Sequence, residues 1–582
     1  MKRLTLISLA LVVASLVWLL KGSFVLVATA NAQQQAQEST RDAPPDTTPY
    51  SRPAVTGDFA PKGTRPIPLL PSVLIVDTVV NNTDPNITNT DTFNNGETSI
   101  TANPANPNEV VVTAFSGSWG ANAPLWQTTD GRNLWTKQFT IPAPPGIAAG
   151  GCPCDQAVDY GSANQMSGTF LISDIFSGTT TDPASAAAWN WLVVNGITQP
   201  TNFNIVPPPG GVDQPWLLVN VDPTIPAQDN VYTAYDDFTN GFNCVGDACN
   251  ERVSASYGVN PPNFTVDNQS GTATRSINPG HRLAVDPRNG FLYSLFQRNI
   301  AGGSGGSKNI DYMLNRSTDG GATWTLNGMA GGIVVANADS TQPTPKFGTV
   351  NALLGGVDHA AVDSTNGDVY YVYGNRDSGT GNNRLAIRRI QDNGGGGVTV
   401  GPENFVTGQV QAAIPSVAVA SNGIVGVFYY SFDGLSPDGI PTFTAHLAQS
   451  SDQGVTFSDQ VLLTFLSSAV DNGNNRQRVL GDYMQMKALD TCFFGAFTAN
   501  GVAFGRPFAN HDPIFFRVCV GEADLAITKA DSPDPVITGS DLTYTLTVTN
   551  NGPDADDISY CNRRSSGRNN FCLVLFDSRR SL

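Results

Sequence analysis

Seven runs of β-branched and aromatic residues punctuate the chain between about Asn94 and Gly521, each bounded by Asn, Gly or Asp. They read EVVVTAF (Glu109 to Phe115), TFLISDIF (Thr169 to Phe176), NVYTAYDDF (Asn230 to Phe238), FLYSLFQ (Phe291 to Gln297), DVYYVYG (Asp368 to Gly374), IVGVFYYSF (Ile424 to Phe432) and CFFGAFTA (Cys492 to Ala499). Short apolar runs bounded by turn residues predict buried strands. A shorter strand and a turn precede most of them, as in RLAVDPRNG (Arg282 to Gly290) and AAVDSTNGD (Ala360 to Asp368). A third strand follows, as in NWLVVNG, RLAIRRI and PIFFRVCV. Beyond the N-terminus almost no stretch has helical periodicity.

Three of the third strands lead into a polar turn with a fixed aspartate. The turns read TTDGRNLW (Thr128 to Trp135), STDGGATW (Ser317 to Trp324) and SSDQGVTF (Ser450 to Phe457). An aspartate accepts backbone N–H bonds, a glycine permits positive φ, and an aromatic anchors the hairpin. The expected structural residues are Asp130 and Trp135; Asp319, Gly321 and Trp324; and Asp452, Gly454 and Phe457. Asp130 and Asp319 are 189 residues apart and Asp319 and Asp452 are 133 apart, three and two units of similar length. Four short strands per unit at this period predict propeller blades that close into a ring, because an open row would leave edges exposed.

These motifs resemble the Asp-box, or BNR repeat, of sialidase-like β-propellers. Ser317 to Trp324 fits the pattern S-x-D-x-G-x-T-W fully, Ser450 to Phe457 has Phe for Trp, and Thr128 to Trp135 lacks the second glycine and the threonine. The predicted fold is all-β, a propeller of about seven, alternatively six, four-stranded blades over residues 72–521. If six is correct, the second unit is the one misread.

Composition narrows the picture. A charged fraction of 14% with 58 glycines and 39 prolines suits short strands and turns. A net charge of −17 disfavours nucleic acid and anionic membrane as partners. Lys2 and Arg3, an apolar run from Leu4 to Leu20 and Ala30-Asn31-Ala32 predict a signal peptide over residues 1–32, and hence a secreted or cell-surface protein with no membrane span after cleavage. Residues 33–71, rich in Gln, Pro, Thr and Ala, read as a disordered lead-in. Cys152 with Cys154, Cys244 with Cys249, and Cys492 with Cys519 are disulfide candidates, in keeping with an oxidising compartment. No zinc-type spacing occurs, and neither metal nor cofactor is expected.

The segment from Ala523 to Asp556 resembles the start of the DUF11 family of surface-protein repeats, which are Ig-like β-sandwiches. Only some sixty residues remain where such a sandwich takes about 100. Residues 522–556 are therefore read as a truncated module. The arginine-crowded residues 557–582 are read as an anomalous tail, the product of a frameshift or misassembly.

Chemistry is sought where each inner strand begins. CDQAV, VDQPW, VDHAAV and GDYMQM place Asp155, Asp213, Asp358 and Asp482 at equivalent points, GHRLAV places His281 there, and His359 is adjacent to Asp358. Converging carboxylates shift their pKa values or recruit a cation, which makes this ring the candidate ligand-binding site at the channel mouth. The competing reading is that the aspartates merely cap turns. The sialidase resemblance implies a tyrosine nucleophile with a glutamate, an aspartate acid/base and three arginines that hold the substrate carboxylate. No spacing marks Arg282, Arg376, Arg476 and Arg478 as such a triad, and no catalytic residue is assigned. The expected role is a binding or scaffold module for glycans or another extracellular polymer. The alternatives are an exo-sialidase and a purely structural surface protein.

Overall fold

The structure, a computed structural model, describes most of residues 96–520 and isolated strands at 73–78, 525–532, 543–550, 558–562 and 571–575. The chain divides into two units, one formed chiefly by residues 74–518 and the other including residues 519–582. In the larger unit the strands form seven sheets of four, six of them built from four consecutive strands. The inner strands are Gly96–Asn103, Gln156–Tyr160, Val212–Val221, Arg282–Val285, Asp358–Val362, Ala412–Val419 and Gln485–Leu489, numbered here as blades 1 to 7. Each inner strand lies against that of the next blade, and blade 7 returns to blade 1, so the sheets form a closed seven-bladed propeller.

Six of the seven apolar runs are the second strands of their blades, as expected. These strands are covered by sheets on both sides, which is why they lack alternation: all nine residues of Cys492–Asn500 are buried. Blade 2 differs from its sequence reading. Thr169 to Phe176 holds the end of the second strand (Met166–Leu171), a turn, and the start of the third (Ile175–Thr180). Asn190–Trp191 is the short fourth strand rather than the third, and Val193–Val194 pairs with Ile197–Thr198 in a separate small hairpin. The blade is nevertheless complete, which settles the number at seven.

Ring closure uses both ends of the unit. The outer strand of blade 7 is Val73–Thr78, paired with the C-terminal strand His511–Cys519. Cys492 and Cys519, on the second and third strands of this blade, are both disulfide-bonded. Cys152, Cys154 and Cys244 lie outside the described residues, and Cys249 begins a strand of blade 3.

Polar side chains on the inner strands join one blade to the next. Backbone N–H groups donate to Ser99 Oγ from Val158 (3.0 Å), to Thr101 Oγ1 from Tyr160 (2.9 Å) and to Asp159 Oδ2 from Val219 (2.9 Å). The same device links Val417 to His359 Nδ1 (3.1 Å) and Met486 to Ser416 Oγ (2.9 Å). Inner-strand N–H groups would otherwise be buried without partners, so these bonds hold neighbouring blades in register.

The three aspartate turns all connect the third strand of a blade to the fourth, in blades 1, 4 and 6. Asp319 accepts from Ser317 Oγ (2.7 Å), Thr323 N (2.8 Å) and Thr323 Oγ1 (2.6 Å), and Gly321 N donates to Ser317 Oγ (2.8 Å). Asp452 repeats this with Ser450 (2.7 Å) and with Thr456 N and Oγ1 (2.8 and 2.6 Å). Hydrogen bonds from Thr456 hold the Asp452 carboxyl down to about 2. Gly321 and Gly454 have φ of +99° and +82°, a conformation the turn requires and other side chains resist. Trp324 packs into the core between blades 3 and 4, Phe457 against that between blades 5 and 6, and Trp135 lies 5.0 Å from Phe515 of blade 7. In blade 1 the Thr128 Oγ1 to Asp130 bond (2.9 Å) repeats the serine part of the clamp.

In the smaller unit, Leu525–Ser532 pairs with Thr543–Asn550 and Ile558–Asn562 with Phe571–Leu575, as two antiparallel hairpins. Residues 1–72 lie outside the described residues, and with them the expected signal peptide and lead-in.

Candidate functional site

Residues at the starts of the inner strands of blades 1, 3, 4, 5 and 7 meet at one end of the ring. Gln214 of blade 3 donates through Nε2 to Asp482 Oδ2 near the start of blade 7 (3.2 Å) and accepts through Oε1 from Arg282 Nη1 of blade 4 (3.3 Å). A bulge between Asp213 and Trp216, with Gln214 at φ +43°, turns this amide toward its partners. The Arg282 guanidinium lies 4.4 Å from the Trp216 ring centroid and 5.7 Å from that of Tyr483. Trp216 in turn meets His359 of blade 5 edge-on at 5.1 Å. Blades 3, 4, 5 and 7 thus close this end of the channel with an aromatic layer centred on a buried arginine, which is only 1% exposed.

Carboxylates surround that arginine. Asp358 accepts from Gln297 Nε2 and Tyr371 OH, both at 2.8 Å, and is buried. Burial lifts its carboxyl to about 6, against the opposing charge of Arg282 and the two hydrogen bonds. Asp482 N donates to Glu97 Oε1 of blade 1 (3.1 Å), which draws a further acid into the layer. Asp155 is buried beside Tyr483, whose hydroxyl pKa burial and the Asp155 and Glu97 charges raise. Asp213 is partly exposed and accepts from Gln214 N (2.9 Å).

The histidines face different surroundings. His281 is turned between blades 3 and 4, with Nδ1 3.1 Å from the Tyr235 carbonyl and Nε2 2.8 Å from Ser294 Oγ. Burial lowers its pKa to about 3, assisted by the Arg282 charge. His359 faces the channel and is held neutral chiefly by burial, then by the charges of Arg282 and Lys487, with its pKa also lowered to about 3. Behind His281 lie two acids that the sequence reading did not single out. Asp236 and Glu251 are both buried, and Glu251 Oε2 is 3.6 Å from His281 Nδ1.

Among the residues expected at the mouth, the structure therefore brings Asp482 and Asp358 to the Arg282 centre, with Asp155 and Asp213 near it. Gln214, Trp216 and Tyr483 complete the layer; they lie within the quoted motifs VDQPW and GDYMQM, though only the aspartates drew notice. Arg282 is the one expected arginine seen at the centre. Arg376 is partly buried and donates from Nε to the Gly381 carbonyl (3.1 Å), while Arg476 and Arg478 lie outside the described residues. No cluster of three metal-ligating side chains occurs among the described residues.

No protein-family model and no curated protein matches the chain. Solved structures do. A Dyadobacter fermentans protein of unknown function is 14% identical, with the match covering 77% of this chain and 100% of that one at a TM-score of 0.38. The α-L-arabinofuranosidase Arb93A of Fusarium graminearum, solved with an iminosugar inhibitor, is 11% identical over 67% and 96% of the two chains, with a TM-score of 0.34. An ulvan lyase of polysaccharide lyase family 25 is 12% identical over 73% and 94%, with a TM-score of 0.36. At this level of similarity none of them assigns an activity to this chain.

Proposed function

We propose that the chain is an exported propeller that binds an extracellular carbohydrate polymer, uncharged or basic, at the end of the channel where Arg282 lies. The Asp-box reading of the three turns belongs to the same proposal, with those turns serving as structural clamps and not as chemistry. One observation carries it: among the described residues the acids at the mouth outnumber the one arginine there, with Asp358 held by Gln297 and Tyr371 and Asp482 by Gln214. Carboxylates, amides and aromatic rings suit hydroxyl-rich ligands. An excess of negative charge repels a sialic acid carboxylate, and Arg282, the one arginine at the mouth among the described residues, is enclosed and offers no open bidentate grip.

One observation favours glycoside hydrolysis as a second reading. Asp358, lifted to about 6, has the protonation behaviour of a general acid. It is nonetheless 1% exposed with both oxygens bonded, which removes it from a leaving group's reach. The test is a glycan array carrying neutral, amino and sialylated glycans, paired with a panel of aryl glycosides. Retention of neutral or basic glycans without turnover supports binding. Preference for sialosides, or hydrolysis of any aryl glycoside, overturns it.

A further inference from the structure

Beyond the aromatic layer, toward the far ends of the inner strands, the channel widens into a cavity of about 320 Å³. Trp216 and His359 line it and separate it from the Arg282 cluster. Its walls are mainly small aliphatic side chains from blades 3 to 7, among them Val285, Ala361 and Val419. The charged groups on it are Asp159 and Lys487, which pair with each other at 2.5 Å. Asp159 also accepts from Val219 N and Thr101 Oγ1, which uses most of its acceptor capacity. The wall is therefore largely apolar, with Asn220, Ser364 and Gln485 as its uncharged polar side chains, and apart from the ion pair it carries no charge.

The layer does leave a donor. His359 Nδ1 accepts from Val417 N, so the neutral ring carries its proton on Nε2. That nitrogen has no hydrogen-bond partner among the described residues. The Lys487 ammonium uses two of its three N–H groups, on Asp159 and on the Val158 carbonyl at 3.3 Å. We propose that this cavity is a second binding site, for a small uncharged apolar molecule bearing one carbonyl acceptor. The acceptor meets the His359 Nε2–H, and the apolar body fills the aliphatic wall. A carboxylate is disfavoured because it would add an uncompensated charge beside Asp159. This site lies at the other end of the channel from the proposed glycan surface and does not depend on it.

The test uses the folded full chain, titrated with the uncharged fluorophore N-phenyl-1-naphthylamine and competed with 2-octanone. The expected result is saturable 1:1 probe binding that the ketone displaces. Binding should be lost in both Ala361→Phe and Val285→Phe, which fill the cavity from different blades, with the thermal unfolding midpoint serving as the check on folding. In His359→Phe the ketone should weaken about 5- to 10-fold, the loss of one hydrogen bond, while the probe is retained. Absence of saturable binding by the folded wild type, or unchanged binding in a folded filled variant, overturns the site. Unchanged ketone affinity in His359→Phe overturns the assigned donor.

Discussion

Asp236 and Glu251 face each other as register partners on the second and third strands of blade 3, with both carboxyls buried. Neither Asp236 oxygen has a donor among the described residues, so two buried carboxyls placed this way require a proton between them. Burial pushes Glu251 up to about 7, with the charges of Asp358 and Asp237 adding to the rise and the Asp236 hydrogen bond opposing it. Asp236 is also raised well above the ordinary carboxylate range, by burial and then by Glu251.

A stability profile follows from the signs. Acids held above their ordinary range bind more protons folded than unfolded. Their contribution is complete below about pH 4 and is lost as pH rises through about 7. His281 and His359 act oppositely, losing stability as pH falls from their ordinary value of 6.5 toward about 3. Asp236→Asn removes the shared proton. Urea unfolding midpoints should fall from pH 5 to pH 8 in the wild type and fall less in the variant, where Asp358 still titrates. Equal slopes would contradict a shared proton.

Arg282 is the sole cation of the aromatic layer among the described residues. Arg282→Met keeps the volume but leaves Asp358 and its neighbours without a counter-charge. Removing one partner of a buried charge set costs about 3–5 kcal/mol. Thermal unfolding should therefore begin at a markedly lower temperature. A midpoint within experimental error of the wild type would mean that the arginine is not needed to hold the layer.

Ser317 serves two groups at once, accepting from the Gly321 amide and donating to Asp319. Ser317→Ala orphans a buried amide and should cost about 1–2 kcal/mol. The blade 1 turn has no threonine in the clamping position, so Thr128→Ala should cost less. Chemical denaturation of the two variants side by side measures the difference, and a reversed order would refute the clamp geometry.

Closure by Val73–Thr78 makes the propeller depend on a segment far from its other blade 7 strands. A chain beginning at residue 81 lacks this outer strand and leaves the edge of His511–Cys519 unpaired. An open edge templates association. Size-exclusion chromatography should show oligomers or aggregate where a chain beginning at residue 33 is uniform. Identical elution would argue that the strand is dispensable.

Much of the fold was legible because second strands are covered on both faces and so appear as unbroken apolar runs, from Glu109–Phe115 to Cys492–Ala499. The second unit misled for a local reason. Thr169 to Phe176 joins two strand ends across a turn, Ile172 to Asp174, that carries no glycine or proline to mark it. The closing strand Val73–Thr78 was hidden because its partners are more than 400 residues away. At the mouth, repetition drew attention to the aspartates. Of the residues that organise them, Arg282 has no counterpart in the other motifs, and Gln214 shares its place only with Gln156 of CDQAV, too weak a repeat to stand out. Asp236 and Glu251 lie on second and third strands, away from the inner-strand motifs where chemistry was sought.

The most direct measurement is isothermal titration of a neutral oligosaccharide into the wild-type chain and Asp213→Ala, with the ligand recovered afterwards for mass analysis. Asp213 is the partly exposed acid of the mouth, so its loss should weaken or abolish binding while the wild type returns the ligand intact. Cleaved ligand, or equal affinity in the two proteins, would contradict a non-hydrolytic binding site at this end of the channel.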